Sequence, residues 1–209
     1  MNARTTTRIN RAGMAAIAGS IALAISLIGH EVARYRGIDG TIDVPGTLGF
    51  FLSYGSLSLA WGLLFLGSLG FAALVMRTDD RLVKVGAGAV SLGLAGTALG
   101  FGFAALAGLA GLGDVAMIGE MIAAPSMMLL FTLGSLVLGI ELLRTEIVSR
   151  AIAGLMTAVG PGMILGVMIG VPVLDIVLFA GPVCAVWALI GYDLLSTDTT
   201  IEEPSAVPA

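Results

Sequence analysis

The sequence predicts an all-α, polytopic integral membrane protein, a bundle of six transmembrane helices with both termini in the cytoplasm. Three observations carry this prediction. The chain is 57% hydrophobic and 11% charged, against roughly 25% charged in soluble domains. Its apolar stretches come in lengths near or above the ~20 residues that a helix needs to cross a bilayer. Eight basic residues (Arg4, Arg8, Arg11, Arg77, Arg81, Lys84, Arg144 and Arg150) fall in segments that alternate with the one holding Arg34 and Arg36. The positive-inside rule then puts both ends inside. Backbone groups in lipid must be satisfied within the protein, which makes each span a helix.

Residues 1–12 read as a cytoplasmic segment and 13–31 as the first span. Met14 to Gly29 has the length of a signal-peptide core, but no clean small-x-small cleavage pattern precedes His30. The stretch is therefore expected to stay as a helix. The polar connection Val32 to Gly46 follows. The second span, 50–76, opens on the semi-polar run Ser53, Tyr54, Gly55, Ser56. Tyr54 and Trp61 lie in its half nearest the loop, where aromatic belts sit.

The third span, 85–110, lies in a stretch from Val85 to Gly113 that has no charged side chain and nine glycines. Gly93, Gly96 and Gly100 recur at helical spacing, and Ala89, Ala104, Ala107, Gly108 and Gly111 continue much the same stripe. Small residues let helix backbones approach in lipid, where no hydrophobic force separates helix from helix. The fourth span, 119–143, is bracketed by Glu120 and Glu141 with twenty uncharged residues between them. Asp114 stands where its N-cap is wanted. The fifth span, 151–171, carries Gly162, Gly166 and Gly170 at four-residue steps. A turn at Pro172 to Asp175, with Asp175 as cap, leads into the sixth, 174–193. Residues 196–209 are rich in Thr, Pro and acids without apolar periodicity and read as a disordered cytoplasmic tail.

Several chemistries are excluded. His30-Glu31 opens like a zinc-protease motif, but Arg34 stands where the second histidine belongs. Gly100-Phe-Gly102-Phe-Ala-Ala105 matches the loose dinucleotide pattern inside an apolar span that follows no strand. Lys84 sits at a membrane edge, out of place for a retinal Schiff base. Cys184 is the single cysteine and His30 the single histidine. The methionines Met117, Met121, Met127, Met128, Met163 and Met168 are flexible apolar filler rather than a soft-metal site. No nucleophile, base and orienting acid can be assembled. No metal, no cofactor and no nucleic acid is expected, and the protein is expected to be non-enzymatic, in the cell membrane.

The prolines separate the halves. The first three spans have none in their cores, whereas Pro125, Pro161 and Pro182 fall in the last three and strip a donor from the carbonyls of Met121, Thr157 and Leu178. Broken helices near the midplane are how several transporters build their sites. One expectation is thus a small-solute or ion permease with Thr157 and Pro161 at its site and Glu120 toward the outer entrance. The other is a structural or assembly subunit, binding a second copy or a partner membrane protein through glycine faces: Gly93, Gly96, Gly100, Gly162, Gly166 and Gly170.

The topology is testable by labelling cysteines placed at Thr41, Thr78 and Thr199 with an impermeant reagent in intact cells. Thr41 should label, and the other two should be protected. Outside labelling at Thr78 would overturn the arrangement.

Overall fold

The computed structural model describes residues 3–36, 44–169 and 176–196. Among these, every regular element is helical: α1 Ala3–Tyr35, α2 Leu48–Val75, α3 Arg81–Leu109, α4 Gly113–Thr145, α5 Arg150–Ile169, and α6 Gly181–Ser196, which follows a π turn at Ile176–Ala180. Five segments are long and apolar enough to cross a membrane, at Thr7–Ala33, Leu48–Val75, Arg81–Leu109, Gly113–Thr145 and Val177–Ser196. The apolar part of α5, Arg150–Gly166, is shorter. Residues 170–175, where the end of the fifth span, Gly170 and the Asp175 cap were expected, lie outside the described residues, as does the tail from 197.

Local chemistry sets the ends. Helix α1 begins at Ala3 rather than at residue 13, because nothing in the first turns breaks a helix and arginine is a good helix former. Thr47 caps α2 by accepting from the Phe50 N–H at 3.1 Å. Asp80 caps α3, its Oδ1 accepting from the N–H groups of Leu82 and Val83 at 2.8 and 3.2 Å. The expected cap at Asp114 is not made. Helix α4 starts one residue earlier, so Leu112 holds the cap position and the Asp114 carboxylate complements the helix dipole from the first turn. Gly111 leaves the stripe as well. It lies in the turn after α3 with φ +74°, where the Leu112 N–H reaches back to the Ala107 carbonyl at 2.9 Å, and glycine takes that backbone conformation without strain.

Each helix packs against the next in sequence, and α6 closes back on α1. In each of the six seams a glycine lets backbone meet a neighbour. A Cβ on Gly19 would stand 2.8 Å from the Leu64 nitrogen, between α1 and α2. Gly108 receives the Phe50 ring between α2 and α3. Between α3 and α4, Gly100 and Gly119 oppose each other, each 2.5 Å from the other's carbonyl oxygen if given a Cβ. Gly93 lies against the Phe131 backbone, Gly96 against Ser126, and Gly86 against Leu138. Gly139 receives Thr157 of α5, and Gly162 receives the Leu178 carbonyl. Gly13 and Gly191 face each other between α1 and α6. Large side chains point the other way: Val85, Leu92, Leu99 and Leu106, at seven-residue steps on α3, are all exposed. Lipid solvates them, so no cost attaches to leaving them outside.

Aromatic side chains fill the middle. Trp61 of α2 meets Phe131 of α4 edge-on with centroids 5.4 Å apart, and Phe179, in the π turn before α6, lies 6.5 Å from both. Trp61 is thus a core residue, 2% exposed, and not part of an interfacial belt. Its position in the half nearer the loop suggested a belt, but the face it occupies points inward. Phe71 and Trp187 make a second such contact nearer the α1 N-terminus, 6.4 Å apart.

The prolines do not break their helices. Pro125 passes directly into a π turn, Ser126–Phe131, in which the lost i→i−4 bond is replaced by a wider register. The Thr132 hydroxyl donates to the Met127 carbonyl at 2.9 Å, with the Met163 sulfur of α5 also at 2.9 Å. Helix α5 runs continuously through Pro161. Pro182 deprives the Leu178 carbonyl of its helical donor, and that carbonyl points at the Cα of Gly162, where a weak Cα–H contact is available.

Gly93→Ala and Gly100→Ala should each lower thermal stability in detergent by about 1–3 kcal/mol, the usual cost of overpacking. Gly88→Ala on the same helix, where a Cβ would meet nothing within 4 Å, should not. Equal effects at all three positions would refute this account of the seam.

Candidate functional site

The three residues of the expected permeation path do not come together. Glu120 is half-buried on the second turn of α4, near the end of the bundle that holds the α1–α2 loop. Thr157 of α5 packs against Gly139, nineteen residues further along α4. At 1.5 Å per residue that separation is about 28 Å, close to the thickness of the hydrocarbon core. The Thr157 hydroxyl donates to the Ala153 carbonyl of its own helix at 2.8 Å. Pro161 is exposed on the outer surface of α5 rather than turned inward. The ring therefore faces lipid, and the helix bends around it without a gap.

The glycines are placed differently. Gly93, Gly96 and Gly100 face α4, and Gly162 faces the π turn before α6. Gly166 is buried on α5. The faces of Gly93, Gly100 and Gly162 are occupied by backbone from the same chain, so they are not vacant for a second one.

Other polar groups are local. His30 Nδ1 lies 3.2 Å from Ser53 Oγ, tying α1 to α2 at the outer end. Among the described residues no three of His, Cys, Asp and Glu stand together. Met117, Met121, Met128 and Met168 are exposed, whereas Met163 is buried against Thr132, so the methionines do not converge. Glu141, expected only as the end of a span, is 7% exposed, and Arg144 Nη1 donates to its carboxylate at 2.9 Å. That pair was invisible as a site because i,i+3 charges at a helix end are common on solvated faces.

Two cavities stand out among the described residues. One, of about 650 Å³, is a groove between α1 and α2 lined by Arg8, Arg11, Arg77 and apolar residues. The other, of about 280 Å³, is wholly apolar apart from Cys184 and lies between α1 and the start of α6. Neither is lined by α4 or α5. Sequence reasoning missed the groove because its arginines belong to segments nearly seventy residues apart.

By length and composition these helices are those of a multi-pass membrane protein. No protein family, no curated protein and no solved structure matches the chain.

Glu120→Gln and Pro161→Ala should act independently, because the two residues are far apart and share no partner. Their effects on thermal stability in detergent should add to within about 0.3–0.5 kcal/mol. A larger coupling would put them in one site after all.

Proposed function

We propose that the protein is a non-enzymatic, multi-pass component of the cell membrane that works as a structural or assembly subunit through its lipid-facing periphery, rather than as a permease. The observation that supports this most is the filled interior. Trp61, Phe131 and Phe179 meet where a conduction path would run. A permeation site near the midplane needs convergent polar groups with no better partner. Here the hydroxyls of Ser20, Thr97, Ser126 and Thr157 each donate to a carbonyl one turn back on their own helix.

The glycine faces named above are taken up within the chain, so the partner surface in this reading is the outer one. It is built of the large side chains on α3 and on α4, Leu99, Leu106, Met117 and Met121 among them. A partner helix would pack there by displacing lipid, and dispersion and shape would decide the affinity. The basic end of the bundle fixes orientation by the positive-inside rule, both termini being cytoplasmic.

Flux into proteoliposomes tests the choice. Across a panel of monovalent cations, anions and small neutral solutes, wild type should not exceed empty liposomes. Flux that is carried by wild type and reduced by Glu120→Gln or Pro161→Ala would restore the permease.

A further inference from the structure

We infer that the groove between α1 and α2 at the basic end of the bundle binds an anionic phospholipid, headgroup on its arginines and one acyl chain along its apolar wall. The inference goes beyond the proposed function and does not depend on it. A permease could carry the same site, so the flux experiment and the one below fail separately.

The charges at this end of the molecule fall into two sets. Arg144 and Arg150 are paired, each 2.9 Å from a carboxylate oxygen of Glu141 and Glu146. Arg8, Arg11 and Arg77 line the groove. Among the described residues no carboxylate lies within ion-pairing distance of any of the three. Arg8 and Arg11 are three residues apart and share a face of α1. Arg77 comes just after α2 ends at Val75, on the opposite side of the groove. The acids nearest in sequence do not neutralise them. Asp80 is engaged by two N–H groups of α3, and Asp79 does not line the groove.

Below the arginines the walls turn apolar. Small residues on both helices, Ala12 and Ala15 facing Gly70 and Ala73, make the floor, and Leu66 and Leu69 form a half-exposed flank open to the bilayer. From Arg77 to Leu66 is eleven residues of chain, mostly α2, or about 16 Å at the helical rise. One leaflet of a bilayer core ~30 Å thick has about that depth. A basic mouth over a leaflet-deep apolar channel matches an amphiphile with an anionic head. Basic pockets between helices at the cytoplasmic face are where such headgroups are held. A water-soluble anion would make no use of the apolar wall.

The test uses the full chain, released from nanodiscs containing equal phosphatidylglycerol and phosphatidylcholine, with retained lipid read by native mass spectrometry. Wild type should keep phosphatidylglycerol in preference. Arg8→Gln, Arg11→Gln and Arg77→Gln should each lower that preference about fivefold, the effect of one basic group near an anionic lipid. Leu69→Trp, which fills the channel and keeps the charges, should expel the lipid. Arg81→Gln and Lys84→Gln, at the same end but outside the groove, should change nothing, and millimolar inorganic phosphate should not compete. Equal retention of both lipids by wild type would overturn the inference. So would losses at Arg81 and Lys84 matching those at the groove, which would mean diffuse surface charge. Displacement by phosphate would show a simple anion site instead.

Discussion

Backbone-to-backbone contact at glycine is the interaction on which the rest of this structure depends. Water gives soluble helices a reason to associate that lipid does not, so helix association here rests on dispersion, which a gap of 0.5–1 Å already weakens by a quarter to a half. The pairs Gly100 with Gly119 and Gly13 with Gly191 bring main chains together without an intervening side chain. With α6 closing on α1 the helices form a complete circuit, and every one of its six seams includes such a position. Widening one seam would push its two helices away from their other neighbours as well.

The circuit sets what the interior can hold. Six helices around a centre leave a space that side chains must fill, and the three aromatic rings of Trp61, Phe131 and Phe179 fill it with edge-to-face and offset geometry. Polar groups across the seams are few and confined chiefly to α2 and α3. Ser58 donates to the Ala98 carbonyl at 2.8 Å, and Ser68 Oγ lies 3.0 Å from Ser91 Oγ. These fix the register of two helices and leave the centre apolar, so the polar chemistry of the molecule sits at its ends.

How much of this was legible in the sequence depends on the range of the interaction. Apolar length and the need to satisfy backbone groups internally are local, and they read out as the all-helical class and the positions of the long helices to within a few residues, α1 excepted. What stands across a seam is not local. The spacing of Gly93, Gly96 and Gly100 marks a face without saying that α4 is opposite it. Trp61 could be assigned to a belt because position along a helix was visible and rotation around it was not. Thr157 and Glu120 were joined because each looked functional alone, and only the antiparallel packing of α5 on Gly139 puts a leaflet and more between them. The arginine groove needs Arg11 and Arg77 to be neighbours, a fact that belongs to the fold.

The π turn at Ser126–Phe131 has a consequence for how α4 can change. Each helical residue advances the side-chain direction by about 100°, so one residue accommodated in a wider turn re-phases everything after it. Before the turn, Gly119 and Ala123 address α3; after it, Gly134 still meets α3 while Gly139 addresses α5. A straight α-helix of the same composition, one residue shorter, would swing one of those halves out of alignment with its neighbours. In this part of the molecule the number of residues is therefore held more tightly than their identity. Swaps among Met127, Met128, Leu129 and Leu130 leave the phase intact, and a single deletion or insertion does not.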